Sequence, residues 1–449
     1  METDRNARNT ALTILCRIFE DKVPSHIALS TVNSSTSDDR AFIKRLVTGT
    51  VERVITIDKI IERYSSVKPE KQKPVIRNVL RMGIFQILFM NVPDSAACNE
   101  AVKLVKKRGM GGLSGFVNGI LRKICSQKDI LIKETDIQSS DTQLPDIQSL
   151  DIPALSFKYS LPEWIVRLFI DRFGFTKAIT AFGYFLKESS LQIRCNISRT
   201  DPDVLEGMLT GCGVSVKRIN DKCMVISDID RLETLEPFKK GLFMIQDLSS
   251  VLAGENPSAE LLREYIKDRS SDLKVLDLCA APGGKTLNMA DRLKVEGFKA
   301  HFTACDISQS KLEKIRENIE RCRFDDIECR LSDATVFNED FSDEFDIVIA
   351  DVPCSGLGVI GRKPDIKLNA SPEGIEELNI LQKDILKNAV RYVKAGGFIV
   401  FSTCTVVGSE NEDNVRFIED AGFERINAVQ ICPGEYECDG FFYSLLRKR

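Results

Sequence analysis

Histidine is nearly missing from this 449-residue chain, with only His26 and His301, and its 14 cysteines include no C-x-x-C pair. These shortages leave a zinc cluster without ligands at metal-site spacing and a secreted disulfide framework without a pattern. No metal is expected, and most cysteines read as small buried hydrophobes in a reducing compartment. No run of about 18 apolar residues is free of charge, and the opening METDRNARNT is polar. Neither a membrane span nor a signal peptide is expected, and the expected location is the cytoplasm. The single tryptophan, Trp164, has Ile165, Leu168 and Phe169 beside it at helical spacing. It is expected to pack in a core rather than to stack on a base.

Apolar residues are plentiful: 43% of the chain is hydrophobic, as in soluble globular proteins, and the length implies two or three domains. The net charge of −4 conceals an asymmetry, because residues 1–132 carry 22 Lys/Arg against 13 Asp/Glu and the remainder 40 against 53. A basic N-terminal part draws a polyanion such as nucleic acid; a solvated basic face with no partner is the plain alternative.

Helical periodicity fills the N-terminal part. In ARNTALTILCRIFED, Ala7, Ala11, Ile14, Leu15, Ile18 and Phe19 recur on one face, and ITIDKIIERYSSV, PVIRNVLRMGIFQILFM, ACNEAVKLVKKRG and GFVNGILRKI read likewise. An all-α domain is expected over 1–132, with Lys103, Lys106, Lys107, Arg108, Arg122 and Lys123 supplying basic surface. Residues 133–152 are polar, repeat DIQS, and read as a linker. A small α+β module is expected over 153–273, because LPEWIVRLFIDRFG is helical while LQIRCNIS and KCMVIS are strand-like. GLFMIQDLSSVLAGENP adds a strand and a helix leading into the last domain, 274–449. There KVLDLC, HFTACDI, IECRL, FDIVIAD and GFIVFST are short apolar runs, mostly separated by helices such as SKLEKIRENIERC. That alternation implies a Rossmann-like α/β domain with a mostly parallel sheet, and ligands at the carboxyl ends of its strands.

Chemistry collects at those ends. VLDLCAAPGGKT, 275–286, is a strand, a glycine turn and a helix, which lets backbone approach a ligand closely. This turn is not G-x-G-x-x-G, and the residue five before Gly284 is Cys279, so the Walker loop does not fit either. Asp306 closes the next strand, where an acid can accept from both hydroxyls of a ribose, and Asp333 follows the third. One such acid alone marks only a strand end. Three in register with a glycine loop favour a ligand bearing a nucleoside. Cys354, in IADVPCSG, and Cys404, in FSTCTVVGSEN, each end an apolar strand. Taken singly, either would be core. Two thiols at two strand ends of one sheet are candidate nucleophiles, but spacing does not decide which sulfur attacks.

The arrangement resembles that of S-adenosylmethionine-dependent methyltransferases. In order, VLDLCAAPGGKT, DVPCSG, RKPDIK, FSTCT, ENEDNV and DGFFYSLLRK resemble the motifs of RNA cytosine-5 methyltransferases of the NOL/NOP/Sun class. VPDSAACNEAVKLVKKRG…GFVNGILRKI resembles the NusB family of helical RNA-binding domains. A NusB-like domain in front is the layout of the bacterial RsmB/Sun group, which methylates a cytidine in 16S rRNA. The resemblance implies S-adenosyl-L-methionine as cofactor, 16S rRNA, unassembled or partly assembled, as partner, a monomer, and an RNA-binding role for the small α+β module. It further implies that Cys404 is the nucleophile and Cys354 assists release, whereas DNA cytosine-5 methyltransferases attack with the PC cysteine. By the same pattern Asp351 and Lys285 hold the cytosine. Cys279, Ala280, Ala281, Pro282, Gly283, Gly284 and Lys285 wrap the methionine end of the cofactor, with Asp351 beside it, Asp306 at its ribose and Asp333 at its adenine edge.

Departures from the pattern are small. Val352 stands where alanine is commoner and Thr405 where serine is. The acidic catalytic part shifts expected RNA contact to the basic N-terminal domain and to Arg362, Lys363 and Lys367 in GRKPDIK. Rival readings are a non-catalytic RNA-binding assembly or antitermination factor, and a methyltransferase acting on tRNA or on DNA cytosine.

Overall fold

The structure is a computed structural model that describes residues 7–31, 37–90, 92–136, 151–187, 190–229, 231–267 and 272–449. Its contacts divide the chain into two compact units, 1–187 with 360–369, and 188–359 with 370–449.

The first unit is helical. Pro74–Phe89 is buried along nearly its whole length, from Ile76 to Leu88. A helix apolar on every side must be surrounded, and helices Ala7–Phe19, Ser37–Glu52, Asp94–Lys107 and Ser114–Ser126 pack on it or on one another around a single core. Helix Lys128–Thr135 carries order into the stretch expected as a linker, and Ile152–Tyr159 takes up its other end. Residues 137–150, with nearly all of both DIQS repeats, lie outside the described residues.

The segment expected as one α+β module is divided by these contacts. Helices Ile152–Tyr159, Glu163–Phe173 and Phe175–Phe185 fall in the first unit. Thr56 Oγ1 donates to the Phe157 carbonyl at 2.6 Å, and the amides of Ile55 and Thr56 donate to Ser160 Oγ. Trp164 is only half-buried, because its helix turns Ile165, Val166 and Phe169 inward instead. The segment 360–369 also belongs to this unit. Lys367, expected at an RNA-facing surface, is 3% exposed and donates to the Glu52 carbonyl at 2.5 Å; burial pushes its ammonium pKa down to about 7. Of the expected basic trio, Lys363 is exposed and Arg362 half-buried.

In the second unit β1 (Leu191–Cys195), β2 (Ser215–Arg218), β3 (Cys223–Ser227) and β4 (Phe243–Ile245) form an antiparallel sheet ordered β2-β3-β1-β4. The large sheet contains β5 (Leu273–Asp277), β6 (Ala300–Asp306), β7 (Ile327–Leu331), β8 (Phe345–Asp351), β9 (Val393–Thr403), β10 (Phe423–Ile431) and β11 (Phe441–Lys448). Its order is β10-β11-β9-β8-β5-β6-β7. Strands β5 to β9 pair in parallel, while β11 pairs antiparallel with β9 and β10. Alternate residues feed two cores: Leu276, Val348 and Phe401 face one side, and Val275, Ile347 and Val400 the other. Covering both faces makes the central strands continuously apolar. After β7 the chain returns to the far side of β5, so the switch point opens between the carboxyl ends of β5 and β8.

A buried ion pair joins the small sheet to the helix that follows β5. Arg194 of β1 meets Asp291 of helix Gly284–Val295 at 2.9 Å, with the side chains 0% and 1% exposed. Asp291 also accepts from the amides of Ile197 and Ser198, and Arg194 Nε donates to Gln246.

Candidate active site

A cleft of about 330 Å³ lies at the carboxyl ends of the parallel strands, within the range of small-ligand pockets, roughly 300–1,000 Å³. Its lining includes Cys279, Ala281, Asp306, Asp333, Asp351, Cys354 and Cys404. Ala280, Pro282, Gly283, Gly284 and Lys285 are not part of that lining. Gly283 forms the turn into helix Gly284–Val295 at φ +100°, a left-handed backbone that a side chain would strain. Lys285 instead reaches Asp351.

Asp351 ends β8 with both carboxylate oxygens engaged. Oδ2 accepts from Lys285 Nζ at 2.7 Å and Oδ1 from Ser402 Oγ at 2.7 Å. Lys285 Nζ also stands 5.0 Å from the centroid of the Phe441 ring. Asp351 and Ser402 are register partners across β8 and β9, and the two-residue strand period sends Ser402 to the same side as Cys404. Asp306 accepts from the Ser308 amide at 3.1 Å. Asp333 accepts from the amide and hydroxyl of Thr335, and these bonds, the hydroxyl's first, hold its carboxyl below the usual range. Beneath the cleft Asp277 is buried and accepts from Thr286 Oγ1 at 2.6 Å. Burial, with the nearby Asp351 charge adding to it, raises its pKa to about 7 against the Thr286 bond.

The two strand-end cysteines converge. Cys354 Sγ and Cys404 Sγ are 3.3 Å apart although 50 residues separate them. Cys404 is half-buried on the cleft wall and also packs against the apolar cluster that includes Val251 and Phe441. The Cys354 thiol is held well above its ordinary pKa, first by its hydrogen bond with Cys404, then by burial. Burial likewise raises Cys279 far out of the reactive range, which leaves it a wall residue. Ser402 and Phe441 were not singled out in the sequence; the β8–β9 register brings in Ser402, and Phe441 enters at the start of β11, which pairs with β9 from Phe442 onward.

Three acids at successive strand ends, a glycine turn at a helix start and a cleft of this size suit a cofactor with a ribose and a charged amino-acid end. The two thiols beside the Asp351–Lys285 pair suit covalent addition to a polar ring.

The 16S rRNA methyltransferase RsmB/F family description matches residues 265–447, and that of the NusB family matches residues 5–126. The chain is 30% identical to a probable ribosomal RNA small subunit methyltransferase B of Bacillus subtilis (strain 168), with 99% of each covered. It is 28% identical to the ribosomal RNA small subunit methyltransferase B of Proteus mirabilis (strain HI4320), with 100% of each covered. In fold it is similar to the crystal structure of PH0851, at TM-score 0.77 and 22% identity with 99% of each chain covered. It is also similar to NSun6 from Pyrococcus horikoshii with SFG, at TM-score 0.54 and 21% identity over 64% of this chain and 98% of that one.

Proposed function

Because the chain belongs to the ribosomal RNA small subunit methyltransferase B family, we propose that it methylates C5 of a cytidine in 16S rRNA through a covalent cysteine adduct. The observation that carries this reading is the 3.3 Å approach of Cys354 and Cys404 on the wall of a cleft that also holds Asp351.

S-adenosylmethionine, when bound, supplies an electrophilic methyl group; Asp306, Asp333 and the turn from Cys279 to Gly284 are the residues to hold it. C5 of cytosine is a poor nucleophile. The target base is extruded from its stack into the cleft, and Cys404, its proton given up to solvent, adds as the thiolate to C6. The C6–S bond forms and the ring's π pair becomes available at C5, which takes the methyl. Asp351, anchored by Lys285 and Ser402, receives the polar N3/N4 edge and steadies charge on the ring. Water takes the C5 proton, the C5–H pair becomes the C5–C6 double bond, and the C6–S bond breaks to expel the Cys404 thiolate. Cys354 holds its proton, so its S–H donates a hydrogen bond to the departing sulfur. This division of labour favours Cys404 as nucleophile.

Methyl transfer to a 16S rRNA transcript tests the roles. Cys404→Ala is expected to abolish turnover while calorimetry shows S-adenosylmethionine binding retained. Cys354→Ala is expected to accumulate an RNA–protein adduct that survives a denaturing gel. Wild-type methylation by Cys404→Ala overturns the reading. Bisulfite mapping of rRNA from cells with and without the gene identifies the nucleotide.

A further inference from the structure

The segment ENEDNV begins with Glu410, which the chemistry above leaves unused. Its side chain is fully buried at the end of the turn Gly408–Glu410. A buried carboxylate is costly unless donors surround it, and here they do. Oε1 accepts from the Ser355 amide at 2.8 Å and from Gln382 Nε2 at 3.0 Å, and Oε2 accepts from Ser355 Oγ at 2.5 Å. Ser355 follows Cys354 in the chain. With its own proton given to Glu410, Ser355 Oγ accepts from Thr405 Oγ1 at 2.7 Å, and Thr405 follows Cys404. Gln382 completes the frame by donating to the carbonyl of Pro353, on the other side of Cys354. One side chain therefore ties the loop after β8 to the loop after β9.

We propose that Glu410 is a positioning residue that locks the two cysteine-bearing loops together, keeping Cys354 within reach of the sulfur that leaves C6. The inference rests on the two-cysteine reading. Two further features accord with it. The negative charge of Glu410 is one of the influences that keep Cys354 protonated. Its neighbour Asn411 fixes the Cys404 side independently, accepting from Thr403 Oγ1 at 2.5 Å and donating to the Thr405 carbonyl at 3.2 Å. Loss of Glu410 thus loosens Cys354 more than Cys404, so release suffers more than attack.

The test uses the full chain, labelled S-adenosylmethionine and a 16S rRNA transcript, with Cys354→Ala as reference. In Glu410→Ala the first turnover is expected to survive, while steady-state turnover falls roughly a hundredfold, the scale of a misplaced reacting group. The denaturation-resistant adduct should then accumulate as in Cys354→Ala. Glu410→Gln keeps an acceptor for the Ser355 amide and is expected to recover part of the steady-state rate. A merely structural loss would lower first and later turnovers together and form no adduct. That result, or wild-type behaviour of Glu410→Ala, overturns the inference while an adduct in Cys354→Ala leaves the cysteine roles standing. Absence of adduct in Cys354→Ala removes both. Should Glu410→Ala fail to fold, Ser355→Ala removes the hydroxyl beside Cys354 that bridges Glu410 and Thr405 and is expected to give the same split between first and later turnovers.

Discussion

Asp277 shows how a single residue couples the site to stability. Its carboxyl is buried under the cleft with a pKa raised to about 7, whereas the unfolded chain loses that proton near pH 4. Between these values the native state binds a proton that the unfolded state does not, so stability falls as pH rises from about 4 to 7 and stays lower above. Asp277→Asn removes the titration. Urea unfolding of the variant is expected to show little change at pH 4 and a gain of up to about 4 kcal/mol at pH 8 relative to the wild-type chain. Cys354 illustrates a different outcome at the same scale: burial and its neighbours keep a thiol protonated, and in a release step that proton is what is useful.

At the scale of elements, the motif helix Gly284–Val295 is fixed from behind by Arg194 of the small sheet. Replacing only Arg194 strands a buried carboxylate, so Arg194→Met is expected to cost about 3–5 kcal/mol in denaturant unfolding. Strands β8 and β9 were legible in the sequence because burial on both faces writes continuous apolar runs, whereas β7, at the sheet edge, has no fully buried residue. Strand β10 was not legible, since five of its nine side chains are exposed and charged residues break its apolar run, and its place at the sheet edge is set by β11. Asp306, Asp333, Asp351, Cys354 and Cys404 could be placed at strand ends from the sequence, and the fold brings all five to the cleft wall; their roles came only from the resemblance. Gln382 could not be read from the sequence: it sits mid-way along helix Pro372–Tyr392 and gains its role only from what the fold packs against it. The burial of Lys367 was equally hidden, because a basic loop sequence carries no mark of the carbonyl it finds 315 residues away.

For the molecule as a whole, the excess of basic over acidic residues in 1–132 survives folding as exposed side chains at Lys106, Lys107, Arg108, Arg122 and Lys123. RNA binding that uses this surface releases counterions. Lys106→Ala and Lys123→Ala are each expected to lower the slope of log affinity against log salt by about one, measured by filter binding over a potassium chloride series. The segment 360–369 bears on a different property of the chain, the order in which it is made. Asp365 and Lys367 bond to Ser25 and Glu52, and Leu368 packs on the first helical core. A nascent N-terminal bundle leaves the ribosome lacking these partners and waits through the translation of β1 to β8 before its last piece exists. Completion of the part made first is thereby deferred until most of the part made last has emerged.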